Sequence, residues 1–176
     1  MPLPTRDPLL TAGKLVVALS IAILAFAAVM VAIALGAVLT VERDETIATL
    51  VESGADAGVY PVVVAGLAVL ICVLWLAGWF MKVLYRLIRS VEEGDPFNPE
   101  NAARLARMGW LTLGIQGGLF LVATLAAKIG TLKTALLAED AFDLSVGAII
   151  LTLVLFILAR VFRLGAAMRD DLEGTI

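Results

Sequence analysis

The sequence predicts an all-α integral membrane protein, a four-helix bundle with a short Pro/Asn-capped cytoplasmic elbow between its second and third helices. Two observations carry that prediction. Four long apolar runs occupy residues 14–40, 59–84, 108–130 and 144–166. Each is long enough, at about 1.5 Å per helical residue, to cross a hydrocarbon core about 30 Å thick. The 176 residues are also 61% hydrophobic and 16% charged, whereas about a quarter of a soluble domain is charged. Most of the charges fall between the runs, so residues 1–176 form one domain with no room for a separate soluble one.

The first run follows Arg6 and Lys14, and its Ala25-Phe26-Ala27 triplet superficially resembles a leader cleavage site. The apolar stretch continues to Leu39, well past the usual h-region of about 7–15 residues, so it reads as a retained helix. Ala28, Ala32 and Gly36 form a small-residue ridge on it. The loop that follows is acidic, with Glu42, Asp44, Glu45, Glu52 and Asp56. Ile47, Leu50 and Val51 recur between those acids at helical spacing, which suits a short interfacial helix.

The second run leads into Lys82, Arg86 and Arg89, which share one helical face, while Trp75, Trp79 and Tyr85 mark the interface. This helix is expected to outrun the bilayer and stop near Glu93, because Gly94 suits the C′ position. Asp95-Pro96-Phe97-Asn98-Pro99-Glu100-Asn101 is the most specific local signal. Asn98 as N-cap, Pro99 at the first helical position and Glu100 in the first turn start the third helix. Arg104 and Arg107 then lie on a cytoplasmic extension, with Trp110 at re-entry. Two protruding helices therefore meet in a rigid elbow.

On the third helix Gly114 and Gly118 form a GxxxG pair, which permits close helix approach within the bundle or between copies. Gln116 is expected to hydrogen-bond across the bundle. Leu132, Leu136 and Leu137 suit a turn or two at the far interface, near the acids Glu139, Asp140 and Asp143. The fourth helix ends at Arg160, Arg163 and Arg169, followed by Asp170, Asp171, Leu172, Glu173 and Ile176.

Orientation follows from the bases. The N-terminal segment, the elbow with its flanking helix ends, and the C-terminal end together hold ten Lys and Arg; the opposite side holds only Arg43, Lys128 and Lys133. Both termini and the elbow are therefore expected in the cytoplasm.

Several chemistries are missing. The chain has no histidine and one cysteine, Cys72, which removes a disulfide framework, a CxxC pair and a Cys/His zinc site within one chain. The acids show no EF-hand spacing. No acid or histidine lies in the middle of a run, where ion-coupled carriers keep such groups. Gly/Pro interruptions at matching positions are absent too. There is no phosphate loop, HExxH or GxSxG sequence, and Ser20, Ser145, Thr112, Thr124 and Thr152 lack a histidine to activate them. A non-enzyme without metal or cofactor is expected.

The cytoplasmic face then holds the interest. In one reading its arginines snorkel to anionic headgroups and the acidic tail frays. In the other, elbow, arginines and tail form one docking surface, and the tail's acids could fold back on Arg104 or Arg107.

Gly94-Asp95-Pro96-Phe97, Pro99-Glu100-Asn101, Arg104-Leu105, Gly109-Trp110 and the stretch Ala159–Ile176 resemble a bacterial membrane family known as domain of unknown function 2975. The resemblance covers nearly the whole chain and implies four crossings with a proline-rich elbow. It implies no established activity. Members are often encoded beside a small Cro/CI-type helix-turn-helix regulator, which implies a membrane protein that sequesters or signals to a DNA-binding partner.

The leading expectation is a membrane anchor or sensor whose elbow (Asp95, Phe97, Asn98, Glu100, Asn101, Arg104, Arg107) and tail (Arg163, Arg169, Asp170, Asp171, Glu173) contact a cytoplasmic regulator. The chain itself would touch lipid but no nucleic acid, and it could self-associate. The alternative is a small transporter or pore completed by oligomerisation, with Gln116 and the glycine-rich third helix near the path.

Overall fold

In the computed structural model the chain forms α1 (Pro8–Thr40), α2 (Tyr60–Glu92), α3 (Pro99–Ile129) and α4 (Glu139–Glu173). The structure describes residues 8–40, 48, 52, 59–94, 97–129 and 139–173, the side chains of 129, 139–145 and 170–173 excepted. The described residues contain no strand. Ile47, Leu50 and Val51 of one expected interfacial helix, and Leu132–Leu137 of the other, lie outside them, as does Asp95.

All four helices are long and apolar enough to cross a membrane, which makes this a multi-pass membrane protein. α1 and α2 have 33 residues each, or about 50 Å at 1.5 Å per residue. A hydrocarbon core takes about 30 Å of that. Each helix therefore continues well outside the apolar layer.

Consecutive helices run antiparallel and pack in sequence order: α1 on α2, α2 on α3, α3 on α4. α1 begins, α2 ends, α3 begins and α4 ends at one end of the molecule, called here the terminal end. The buried core, Val83, Leu105, Met108, Leu111, Leu155 and Ala159, belongs to α2, α3 and α4 and sits toward that end. α1 contributes only Val17 to the buried residues. It is an outer helix leaning on α2.

Polar contacts near both ends of α1 join it to α2. At the terminal end Lys14 pairs with Glu92 of α2. At the far end the Tyr60 hydroxyl donates to the Val38 carbonyl at 3.0 Å. That carbonyl lies in the last turn of α1, where the helix offers no N–H of its own.

Glycines set the closest approaches. A Cβ on Gly118 of α3 would collide with Val73 of α2, and one on Gly114 would lie 3.4 Å from Leu76. The GxxxG pair thus faces α2 within one copy. The polar residues of the spans are satisfied locally: the hydroxyls of Ser20, Thr112, Thr124 and Thr152 donate to carbonyls four residues back, at 2.8–2.9 Å. Gln116 departs from its expected role. It is half-buried and has no hydrogen-bond partner among the described residues. Gly114 and Gly118, which make the close seam with Leu76 and Val73 of α2, lie on the opposite face of α3 from Gln116.

Gly118→Leu is expected to destabilise the protein by about 1–3 kcal/mol through overpacking against Val73. Gly117→Leu, whose Cβ meets nothing within 4 Å, should change stability by less than about 0.5 kcal/mol. Reversible unfolding in mixed micelles measures both.

Candidate functional site

The terminal end concentrates the charged and polar groups, and its geometry starts with two helix caps. α2 ends at Glu92; the Glu93 N–H donates to Arg89 and the Gly94 N–H donates to Val91 at 3.2 Å. Gly94 has φ +85°, the left-handed conformation that glycine adopts without a Cβ clash. α3 opens at Pro99, and the Glu100 N–H donates to the Asn98 side-chain oxygen at 2.9 Å. This is the expected N-cap, and Pro99 occupies a position whose N–H needs no helical partner.

A polar brace spans the elbow. Asn101 is 0% exposed. Its amide donates to the Ser90 hydroxyl of α2. Its carbonyl oxygen accepts from Arg104 Nη1 at 2.8 Å. Arg104 Nη2 in turn donates to Glu100 at 2.6 Å. One buried amide therefore links the end of α2 to the start of α3, and Arg104 is oriented by two partners. A buried amide is costly without such bonds and rigidifying with them.

Aromatic rings fix α4 to this brace. Phe97 lies against Gly165, where a Cβ would come within 2.9 Å of its ring, and 5.3 Å from the Phe162 ring centre. The reciprocal contact lies deeper: Phe156 of α4 covers Gly109 of α3, at 3.0 Å from a Cβ placed there, and meets Trp110 edge-on at 5.5 Å. Each helix offers the other a glycine notch and an aromatic ring.

Charges sort cleanly. Among described side chains at this end, every carboxylate is paired: Glu92 with Lys14, Glu93 with Arg89, Glu100 with Arg104. Lys82, Arg86, Arg107, Arg160 and Arg163 have no ion pair among the described residues. All five are exposed. The terminal end is therefore electropositive where its side chains are described, although the whole chain carries −3.

The expected site residues divide accordingly. Asn101 is enclosed and serves the brace. Asn98 caps α3. Arg104 is engaged by Glu100 and Asn101, so the expectation that the tail folds onto it gains no support. Phe97 is partly enclosed against α4 yet 44% exposed. Glu100, Arg107, Arg163 and Arg169 are exposed. Asp170, Asp171 and Glu173 lie on the continuing helix, which runs to Glu173 and so does not fray after Arg169. Among the described residues no three potential ligands cluster to hold a metal. Cys72 is free and exposed on α2.

A family model described as protein of unknown function (DUF2975) matches residues 9–176. The chain belongs to that family. No curated protein and no solved structure matches it. In this DUF2975 chain the match takes in both the elbow and the whole of α4.

Asn101→Leu is expected to cost about 1–3 kcal/mol, because the Ser90 hydroxyl and Arg104 each lose a partner. Amide exchange over residues 98–104 should accelerate with it. Arg107→Ala should leave both readouts at the wild-type value; equal behaviour of the two variants would refute the brace.

Proposed function

We propose that this protein is a non-enzymatic anchor of a bacterial inner membrane, with both termini in the cytoplasm. Its terminal end binds a soluble partner, and the neighbourhood habit implied by the family makes a small helix-turn-helix regulator the leading candidate. One observation carries the reading. The elbow is held by a buried polar brace and by Phe97 on α4, while Arg107, Arg160 and Arg163 are exposed, with no carboxylate partner among the described residues. A fixed backbone with uncompensated cations is a preorganised surface for an acidic protein face. Snorkelling toward headgroups explains Arg160, close to the apolar run, better than it explains Arg107, on the polar start of α3 beside the elbow.

The oligomeric pore gains nothing from the interior of one copy. Leu105, Met108, Leu111 and Leu155 fill it, and Gln116 stands outside that core. Catalysis has no support in the terminal-end geometry either, because its described acids are occupied by Lys14, Arg89 and Arg104.

Orientation is checked with a single engineered thiol. In a Cys72→Ser background, Arg107→Cys should resist a membrane-impermeant thiol reagent in intact cells and react after lysis; labelling in intact cells reverses the topology. The partner is sought by crosslinking the full chain in its native membrane and identifying what is recovered. A helix-turn-helix protein should come with wild type. Arg107→Glu with Arg163→Glu should insert normally and recover at least about tenfold less of it, the scale expected for lost interfacial charge pairs. Equal recovery from both chains removes the docking surface.

A further inference from the structure

Between the Lys14–Glu92 and Tyr60–Val38 contacts a groove opens between the packed helices α1 and α2. A cavity of about 420 Å³ lies there, in the size range of small-ligand pockets, about 300–1,000 Å³. Ile21, Ala25 and Ala28 wall it on α1; Ile71, Trp75 and Gly78 wall it on α2. Small residues leave the space: a Cβ on Gly78 would meet nothing within 4 Å. Leu24 and Leu74 also line it, and Trp79 and Lys82 lie at the end nearest the terminal end.

We propose that this slot is a binding site for an anionic phospholipid, with one acyl chain between α1 and α2 and the headgroup phosphate on Lys82. Length supports the assignment first. From Ile71 to Lys82 the helix rises about 16 Å, half of a hydrocarbon core about 30 Å thick. The slot is therefore one leaflet deep, with its apolar end near the midplane and its ammonium at headgroup level. Trp75 and Trp79 sit along it with their rings edge to face, 5.1 Å apart, and both are exposed. By that placement Trp79 lies about 12 Å from the midplane, near the boundary between chain and headgroup where amphipathic rings anchor, and Trp75 about one turn deeper.

Charge supplies the second support. The acids that could neutralise Lys82 from the end of α2 are already taken, Glu92 by Lys14 and Glu93 by Arg89. Lys82 has no ion pair or hydrogen bond among the described residues, and neither has Arg86, one turn further along α2. An apolar slot that ends on an uncompensated ammonium matches a chain that ends on a phosphate. A zwitterionic headgroup brings its own cation and loses that advantage. The site is independent of the partner surface, which uses α3 and α4.

Trp75 and Trp79 report on the slot directly. The full chain carrying Trp110→Phe is reconstituted in phosphatidylcholine vesicles containing a minor fraction of phosphatidylglycerol or phosphatidylcholine brominated on its acyl chains, at equal mole fractions. Brominated phosphatidylglycerol should quench the tryptophans at about fivefold lower mole fraction than brominated phosphatidylcholine, the preference one basic residue provides near an anionic surface. Lys82→Gln should abolish the preference. Gly78→Leu, directed into open space, should abolish it without unfolding the protein. Arg160→Gln, on α4, should keep it. Equal quenching by the two lipids in wild type, or a preference that survives Lys82→Gln, reduces the slot to ordinary lipid contact and overturns the proposal. Protection from both lipids, with crosslinked dimers in the same vesicles, would give the slot to a second copy and overturn it equally.

Discussion

Helices that are apolar on every side gain little by leaving lipid for one another, since hydrocarbon tails satisfy a leucine as well as another leucine does. Packing must then come from close approach and from polar bonds. This protein supplies both unevenly, and the unevenness shapes it. Glycine notches at Gly109, Gly118 and Gly165 receive Phe156, Val73 and Phe97 along the seams of α2, α3 and α4. α1 has no such notch in the core. It packs along α2, with Lys14–Glu92 and Tyr60–Val38 near its ends and a groove between the helices in its middle. The buried core lies among α2, α3 and α4, with α1 on the outside.

The same rule explains where the rigid part lies. A hydrogen bond or ion pair at the membrane surface competes with water, whereas one closed off by protein does not. Asn101 achieves that closure beyond the apolar spans, under the elbow, where Ser90, Arg104 and Glu100 converge. Phe97 covers the neighbouring seam. The elbow is therefore fixed by contacts among α2, α3 and α4 together, and deletion of any one would release the others.

Much of this was legible in the residues. Caps are local chemistry, so Gly94, Asn98 and Pro99 announced the end of α2 and the start of α3. Hydropathy announced the four spans, and Gly114 with Gly118 announced a close contact. The rest depended on distance in three dimensions. Asn101 reads as a surface residue after a proline, and only the return of α2 past it turns it into a buried brace. Ser90 gave no signal at all. The Glu100–Arg104 pair, four residues apart on one helix, could have been read, and it removes an arginine from the docking surface. Gln116 shows the opposite error: polarity within an apolar run does not guarantee a partner among the described residues.

The distribution of charge ties the two ends of the argument together. The chain is acidic overall, yet the described acids at the terminal end are each spent on a base within or beside the same seam. Among the described side chains at that end, those without an ion pair are cationic: Lys82 and Arg86 on α2, Arg107 on α3, Arg160 and Arg163 on α4. A surface that merely needed solubility would gain more from interspersed signs. Pairing the described acids inward leaves cations exposed among the described side chains, at the level where headgroups and soluble partners both arrive. Depth then divides the work: Lys82, above an apolar slot, meets the bilayer, while Arg107, on the polar first turns of α3, stands beside the braced elbow and faces outward. The brace matters to the second role because a cation attracts any acid, but only one held in fixed register with its neighbours can prefer one partner over another.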